Sequence, residues 1–552
     1  MDQRRFIPFV ILVLSLTMLW TNWTEYNRPA PAASVPANAA APAAVADDTV
    51  PTPTGAAVPQ VAAPSSRAAR ITVVTDVMRA EVSAEGGNVV RLELVKHRSD
   101  NSPENDFVIF DNDGEYIYEA ESGLLGTNLP DHHTLFALPQ GDQALAEGQD
   151  ELVLRLPAPT VDGVTVTKLM TFTRGSYLIG VDYEIRNERS EPLAAQAYFQ
   201  FLRDDKPAEQ SRLFGVQTFT GPAFYTKDSK FQKVSFSDIA EGKTKFPASA
   251  DNGWVAIVQH YFVGAWLPPE GIDRHYFTKK TKSGRYVAGA ILAPVTVEAG
   301  TTGKATANLY VGPQDQNKLE SIAPGFKLVV DYGILTVIAA PLFWLLSLLY
   351  SLIGNWGWAI ILVTVIIKAL FFPLSAASYK SMAKMRVLAP RLQRLKELYG
   401  NDKARMQQEM MNLYRTEKIN PLGGCLPIIV QIPVFLALYW VLLGSVEMRQ
   451  APWLGWIQDL SARDPYFILP IIMGASMLIQ MKLNPNPPDP MQAKIMMAMP
   501  IVFTFMFLWF PSGLVLYWVV NNILSIAQQW QITRMIEQGS KKPAKAANDP
   551  TG

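Results

Sequence analysis

The position of the apolar residues along the chain constrains its fold more than any other feature. Long apolar runs occupy the first 24 residues and most of the chain after about residue 333, whereas the part between them is mixed and polar. A run of about 20 apolar residues is long enough to cross a bilayer as a helix. With 552 residues, the chain is also too long for one ordinary domain. We therefore predict a multidomain α+β membrane protein, in which a water-soluble domain lies between membrane-embedded segments.

The N-terminal apolar run predicts a transmembrane anchor at residues 1–24. Arg4 and Arg5 precede the run, and Trp20 stands at its far end, where an aromatic side chain suits the membrane interface. A cleaved signal peptide is the alternative, since small residues follow the run. In both cases the two arginines stay in the cytosol and the next segment is exported. An Ala/Pro-rich linker follows at residues 25–69.

Residues 70–325 have the pattern of a large antiparallel β-sandwich. The stretch GVTVTKLMTFTRGSYLIGVDYEIRN (residues 163–187) alternates around a Gly-Ser turn, as a hairpin with one solvated face would. The stretch NGWVAIVQHYFVGAWLPP (residues 252–269) indicates two longer apolar strands. Sustained 3.6-residue periodicity is not found in this part of the sequence, so we expect the domain to be built from strands.

A charged segment at residues 376–420 predicts the orientation of the C-terminal part. It contains ten basic and four acidic residues, and loops rich in Lys and Arg stay in the cytosol. Because the β domain is exported, an odd number of crossings separates it from this segment. Only one of the apolar runs 334–353 and 356–372 can therefore span the membrane. We predict an interfacial amphipathic helix at residues 326–353 and a five-span core at residues 354–533.

The predicted bundle is polytopic and helical, with an N-terminal span plus the five-span core. The remaining apolar runs lie at residues 422–444, 466–481, 495–510 and 513–530. The tail at residues 534–552 is basic. Both chain termini are therefore placed in the cytosol.

The sequence motifs that could indicate catalysis or metal binding are incomplete. All five histidines lie in the exported domain, so the membrane part cannot use a Ser–His pair. The sequence EGKTK has Ser237 in place of the first glycine of a phosphate loop. His132 and His133 lack a spaced third metal ligand. We expect no enzyme activity, cofactor or metal, and the zero net charge gives no reason to expect DNA as a partner.

Polar side chains interrupt the predicted spans. Lys368 is the only charge well inside an apolar run, and Thr364 lies one helical turn before it on the same face. Further polar residues in the spans are Gln431, Tyr517, Asn521 and Asn522. Polar groups in a bilayer normally face a bundle interior or a hydrated cavity, so these residues could line a shared groove. Alternatively, Lys368 snorkels to the nearby cytosolic headgroups, and the uncharged residues make only helix–helix hydrogen bonds.

The charged segment 376–420 also has the pattern of two helices that form a cytosolic hairpin. Met406 and Met410 lie on one face of the second helix, and Met382 and Met385 belong to the first. Methionine surfaces accept varied apolar partners, so these residues could recruit a substrate. The alternative is that they pack the hairpin on itself.

The C-terminal part resembles the YidC membrane protein insertase family. The motifs that carry the resemblance occur in order through residues 354–530, and they are GNWGWAIILVTVIIKALFFPLS, SMAKMR, NPLGGCLPIIVQIPVFLALYW, GSVEMRQAPW, DPYFILPIIMG, DPMQAKIM and LWFPSGLVLYWVVNN. The N-terminal anchor and the large exported β domain look like the Gram-negative branch of this family.

The resemblance implies an inner-membrane insertase and chaperone whose β domain lies in the periplasm and resembles a supersandwich. Five spans would form a hydrophilic groove open to the cytosol and the lipid, where a cation receives polar parts of the substrate without nucleotide hydrolysis. Lys368 matches this cationic position, and positions similar to other groove residues are Thr364, Gln431, Trp509, Tyr517 and Asn522. The implied partners are nascent membrane proteins, Sec translocon subunits, membrane lipids and, through cytosolic loops and the tail, the ribosome.

One residue departs from the pattern of the family. Bacterial members usually have arginine at the cationic position, whereas this sequence has Lys368. Lysine keeps the charge but loses the planar fork that binds carboxylates through two hydrogen bonds. A small-solute transporter with Lys368 as its binding site is the alternative function, although the paired internal repeats of transporters are not found. An envelope assembly factor that works through its β domain is a further alternative.

Overall fold

The computed structural model describes most of the exported domain and of the C-terminal helices. The described residues are 50–51, 68–99, 104–114, 116–206, 212–213, 216–400, 402–417, 426–483 and 490–540. They belong to one compact unit, Asp48–Gly552. The predicted N-terminal anchor, most of the Ala/Pro linker and the end of the basic tail lie outside the described residues.

Strands make up the first part of the described chain. Their bounds are β1 Arg70–Val74, β2 Met78–Ser83, β3 Val89–Arg98, β4 Asp106–Phe110, β5 Tyr118–Leu125, β6 Gln143–Ala144, β7 Glu151–Pro157, β8 Val164–Thr173, β9 Leu178–Asn187, β10 Leu193–Arg203, β11 Arg212–Leu213, β12 Val216–Gln217, β13 Gly221–Thr226, β14 Lys230–Lys233, β15 Ser249–Ala250, β16 Trp254–Gln259, β17 Phe262–Leu267, β18 Arg274–Lys280, β19 Tyr286–Leu292, β20 Val295–Val297 and β21 Thr302–Pro313.

Two large sheets form a sandwich, which confirms the predicted fold class of this domain. One sheet has 11 strands and the main order β15-β18-β19-β10-β5-β3-β2-β1-β6, with β20 beside β10 and β4 beside β3. The other has eight strands in the order β14-β13-β16-β17-β21-β9-β8-β7. Their pairs are antiparallel apart from the short parallel pair of β1 with β6. A mixed apolar core from both sheets fills the space between them.

The predicted hairpin and the predicted pair of apolar strands are both present. β8 and β9 pair with Phe172 opposite Ile179, and Gly175 in the connecting turn has φ of +69°, a conformation that glycine adopts without strain. β16 and β17 are buried along their whole length. One face of this pair packs on the opposite sheet, and the other packs under the segment that contains Phe326 and Val329. Burial on both faces explains why these strands are apolar throughout rather than alternating.

Helices follow the sandwich, apart from one that lies between its strands. Their bounds are α1 Phe236–Glu241, α2 Gln316–Ile322, α3 Thr336–Ile353, α4 Trp356–Leu370, α5 Phe372–Tyr399, α6 Lys403–Thr416, α7 Leu426–Gly444, α8 Ile468–Leu483, α9 Pro490–Phe507 and α10 Ser512–Ser540, with 3₁₀ turns at Phe326–Val329, Gly333–Leu335 and Val446–Met448.

The helices differ in length and in their fit to a bilayer. Among the described residues, α3 alone is both long and apolar enough to cross a membrane as a single helix. α4 qualifies when it is joined to the first part of α5, across a bend of 63°. Pro373 lies at the start of α5, and proline weakens the hydrogen bonding that would keep the two helices collinear. α7 to α9 contribute shorter apolar segments.

α5 and α6 form a helical hairpin. α6 begins at an N-cap, where the Asp402 carboxylate accepts a hydrogen bond from the Arg405 backbone N–H at 3.1 Å, a typical stabilising cap. Arg391 on α5 and Glu417 after α6 make an ion pair of 2.7 Å. The cap stabilises the start of α6, and the ion pair links the two helices.

Candidate functional site: a polar row inside the helical bundle

The first helix of the core, α4, is fixed at the end next to the β domain. The Asn355 side chain caps it by accepting from the Trp358 backbone N–H at 3.1 Å, and its amide donates to the Pro452 carbonyl at 3.1 Å. Gly357 packs so closely on Trp453 that an added Cβ would lie 2.2 Å from the indole ring. Lys368 comes 13 residues after the cap, so it lies about 20 Å farther along the helix axis.

Lys368 lies on the buried face of α4. Only 7% of its surface is exposed, and its Nζ donates to Ser525 Oγ on α10 at 2.7 Å. Ser525 Oγ in turn donates to the Asn521 backbone carbonyl at 2.7 Å. The ammonium therefore points into the helical bundle in this structure.

Three more hydrogen bonds join α10 to the helices around it. Asn521 Oδ1 accepts from Gln431 Nε2 of α7 at 2.7 Å. Asn522 Nδ2 donates to Ser476 Oγ of α8 at 3.0 Å. Farther along, the Gln529 amide donates to a backbone carbonyl at the end of α8 at 3.1 Å. Hydrogen bonds of polar side chains therefore join α10 to α4, α7 and α8.

The polar residues of α10 form a continuous row. Residues that are four or eight positions apart lie on one face of a helix, and Tyr517, Asn521 and Ser525 have this spacing. The Tyr517 ring is 2% exposed and stacks on Phe435 with centroids 6.0 Å apart. We call Lys368, Gln431, Tyr517, Asn521, Asn522, Ser476 and Ser525 the polar row. In an apolar bundle it supplies hydrogen-bonding groups and one cation, so it can attract a hydrophilic or acidic chain.

The other predicted groove residues take different positions. Thr364 is 1% exposed, and its hydroxyl donates to the Ile360 carbonyl of its own helix at 2.7 Å. Trp509 is 41% exposed and meets Phe505 edge to face. It lies in the turn before α10, where Ser512 N donates to the Ala462 carbonyl. Ser525 lies 13 residues after Ser512, about 20 Å farther along α10.

Two members of the polar row were not predicted as groove residues. Ser525 lies four residues after Asn521, so the helical spacing of polar residues on α10 was a usable signal. Ser476 lies on α8, and its hydrogen bond with Asn522 brings it to the row. A partner on a different helix cannot be identified from the spacing within one helix.

The hairpin methionines are only partly enclosed. Met385, Met406 and Met410 are half-buried, and the side chain of Met382 lies outside the described part of the structure. A cavity of about 410 Å³ lies between the hairpin helices, lined in part by Leu413 and the exposed Leu398. The methionines whose side chains are described do not line this cavity.

The loop after α7 joins the helical bundle to the β domain. The Arg449 guanidinium lies 5.4 Å from the ring centroids of Phe107 and Phe262 and donates to the Arg98 carbonyl. The Gln450 amide donates to the same carbonyl at 3.1 Å. This loop is therefore on the same side of the bundle as the β domain, and Lys368 is near the opposite end.

Comparison with known proteins identifies the family of the chain. The model described as YidC periplasmic domain matches residues 70–345, and the model described as 60Kd inner membrane protein matches residues 348–540. The membrane protein insertase YidC of Aromatoleum aromaticum is 65% identical, with 99% of this chain and 100% of that protein covered. Its counterpart in Dechloromonas aromatica is 53% identical, with both chains covered completely.

Solved structures give a weaker likeness. A crystal structure of an active YidC insertase matches with 18% identity and a TM-score of 0.40, covering 84% of this chain and 92% of that one. A galactose mutarotase-related enzyme from Lactobacillus acidophilus covers 44% of this chain with 10% identity and a TM-score of 0.30. The family models and the full-length relatives show that the chain belongs to the YidC family of membrane protein insertases. Members of this family are inner-membrane proteins with a periplasmic domain.

Proposed function

We propose that this chain inserts nascent membrane proteins by receiving their hydrophilic segments at the polar row. The observation that carries the proposal is the buried ammonium of Lys368, held by Ser525 at 2.7 Å instead of extending to the bilayer surface. Placing a lysine in a membrane helix costs about 2.5–3.5 kcal/mol at the centre of the helix and less near its end. A functional use of the charge accounts for this cost, and the names of the full-length relatives support the same activity.

The mechanism follows from desolvation. A polar segment loses its water on entering hydrocarbon, which is costly unless other hydrogen-bonding groups replace the water. The polar row supplies such groups, and Lys368 attracts acidic residues of the substrate. The apolar segment of the substrate drives insertion by entering the lipid, so no nucleotide is needed. In this proposal Thr364, Gln431, Tyr517 and Asn522 contact the substrate near the cation, and Trp509 contacts it near the periplasmic end.

The same proposal places α3 along the outer membrane surface. Before α3, the Tyr332 hydroxyl accepts from Gln316 Nε2 beside the sandwich at 2.7 Å. After α3, Asn355 bonds to Pro452 in the loop that also contacts the β domain. An 18-residue helix is about 27 Å long. Because both ends of α3 lie on the same side of the bundle, we infer that α3 lies along the membrane surface. Five spans follow α3, and the cytosolic hairpin lies between the first and the second of them.

The remaining partners are proposed from the family. The half-buried Met385, Met406 and Met410 would meet apolar parts of the substrate, together with Met382. The cytosolic loops and the tail would approach the ribosome, and the periplasmic sandwich would contact Sec translocon subunits. Both chain termini would be cytosolic. The solute-transporter alternative finds no support among the relatives, and we do not adopt it.

Insertion into reconstituted vesicles tests the role of the charge. We expect Lys368→Ala to lower the insertion of acidic-tailed substrates roughly ten-fold, because about 1.4 kcal/mol of attraction is lost. Lys368→Arg keeps the charge and should retain most of the activity. Equal insertion by both variants at equal protein levels would exclude the proposed role.

Site-specific crosslinking separates the insertase from its rivals. A photoreactive residue at position 368 should crosslink to a ribosome-bound nascent membrane protein. Solute flux without such crosslinks would indicate a transporter. Loss of all insertion after removal of most of residues 70–320 would indicate that the β domain does the work instead.

A further inference from the structure

A second candidate site lies between the β domain and the helices, far from Lys368. It is a cavity of about 450 Å³, within the range of roughly 300–1,000 Å³ that is typical of small-ligand sites. One wall is the outer face of the eight-stranded sheet, and the other is the end of α7 nearest the β domain. The lining residues used here are Lys233, His260, Asp331, Leu335, Trp440 and Leu443.

The polar wall carries both signs of charge. Lys233 Nζ lies 2.7 Å from Asp331 Oδ2, and the two side chains stay 31% and 35% exposed. His260 also lines the cavity, and its Nε2 is buried and without a hydrogen-bond partner among the described residues. Burial, together with the charge of Arg449, lowers the pKa of His260 to about 4, so the ring is neutral at physiological pH. The wall therefore offers a cation, an anion and one buried polar ring atom.

The other wall is apolar and lies at the depth of the lipid headgroups. Trp440 precedes Gly444, the last residue of α7, by one helical turn, which is about 6 Å. Tryptophan favours the depth of the lipid headgroups. Leu335 and Leu443 complete this wall. Because the loop after α7 contacts the β domain, this end of the helix faces the outer leaflet.

We propose that this cavity binds the headgroup of a zwitterionic phospholipid from the outer leaflet. Its phosphate would lie on Lys233, and its ammonium would lie on Asp331. The upper acyl chain would contact Trp440 and Leu443. An anionic lipid has no ammonium, so its headgroup would place negative charge beside the Asp331 carboxylate without a compensating cation. The Lys233–Asp331 pair therefore selects for the zwitterionic lipid. This inference goes beyond the insertase activity, because it assigns a ligand site between the periplasmic domain and the bundle.

Lipid retention by the full-length protein tests the proposal. The detergent-solubilised chain is incubated with phosphatidylethanolamine and phosphatidylglycerol of identical acyl chains, and bound lipid is counted by native mass spectrometry. We expect preferential retention of phosphatidylethanolamine. Lys233→Met should lower it at least about ten-fold, the effect of losing one charge-assisted hydrogen bond. Asp331→Asn should abolish the preference over phosphatidylglycerol.

A matched control and a second type of variant keep the test decisive. Lys227 pairs with Glu270 at 2.9 Å on the exposed edge of the same domain, so Lys227→Met should leave lipid retention unchanged. Trp440→Ala leaves the ion pair intact and should lower the retention of both lipids. Soluble glycerophosphoethanolamine should compete only weakly, since it lacks acyl chains. Equal retention of both lipids by the wild type, or unchanged retention in Lys233→Met and Trp440→Ala, would overturn the proposal.

Discussion

The Lys368 ammonium donates a 2.7 Å hydrogen bond to Ser525 Oγ, across the interface between α4 and α10. The serine also bonds to the Asn521 carbonyl one turn earlier in its own helix. Ser525 is therefore positioned to keep the lysine side chain directed into the bundle. Without it, the flexible lysine could extend to the nearby membrane surface.

Ser525→Ala tests this positioning role. We expect a roughly ten-fold lower insertion of acidic-tailed substrates, because about 1.5 kcal/mol of hydrogen bonding to the ammonium is removed. Ser525→Thr keeps the hydroxyl and should restore activity. Ser351→Ala is a control, since among the described residues the Ser351 hydroxyl donates to the Leu348 carbonyl of its own helix. Activity of Ser525→Ala equal to that of the wild type would show that Lys368 needs no positioning partner.

The Gln431–Asn521 pair should couple α7 to α10. Its amide groups are 2.7 Å apart, and side-chain hydrogen bonds inside membranes contribute about 0.6 kcal/mol on average. A double-mutant cycle with Gln431→Leu and Asn521→Leu, read from unfolding in mixed micelles, should give a coupling free energy of that size. Additive effects of the two substitutions would mean that the pair contributes nothing to helix association.

Arg449 should control how firmly the β domain sits on the helices. It stacks over Phe107 and Phe262, and each cation–π contact contributes roughly 0.5–1 kcal/mol. Arg449→Ala should increase hydrogen exchange in β3 and in the 3₁₀ turn after α7. Arg463→Ala, on an exposed residue of the same loop, should leave exchange unchanged. Identical exchange in both variants would assign the domain attachment to other contacts.

Lys168 should make the stability of the sandwich depend on pH. It is 1% exposed and donates to the Gly86 and Gly87 carbonyls at 2.9 Å each. Burial lowers its pKa from 10.5 to about 7, against a smaller raising effect of Glu121. Between these pH values the unfolded chain binds more protons than the native one. Stability should therefore rise with pH through this window, by at most about 1.4 kcal/mol per pH unit.

Thermal unfolding at pH 7 and pH 9 checks this dependence. Lys168→Met removes the titrating group, so its unfolding midpoint should change less between the two pH values than that of the wild type. Lys304 pairs with Asp182 on the same sheet and is 56% exposed, and Lys304→Met should keep the wild-type difference. A Lys168→Met variant that retains the full pH dependence would contradict the assignment.

The sequence by itself determined the fold class and the order of the parts. Alternating apolar residues predicted the β8–β9 hairpin, because a strand with one solvated face must alternate. Continuous apolar character predicted β16 and β17 as a pair of longer apolar strands. The distribution of apolar runs separated the sandwich from the helices, and the motifs around Lys368 indicated the family before any comparison. These features are local, because each of them depends on residues that are close together in the sequence.

Only the tertiary structure decided which side chains meet. Ser525 is the partner of Lys368 although 157 residues separate them, and Gln431 reaches Asn521 across 90 residues. Likewise, Arg449 bonds to Arg98 across the boundary between bundle and sandwich. A polar residue in a membrane helix must find a partner because lipid offers none. Periodicity specifies the helix face on which it lies, but the packing of the helices determines which residue satisfies it.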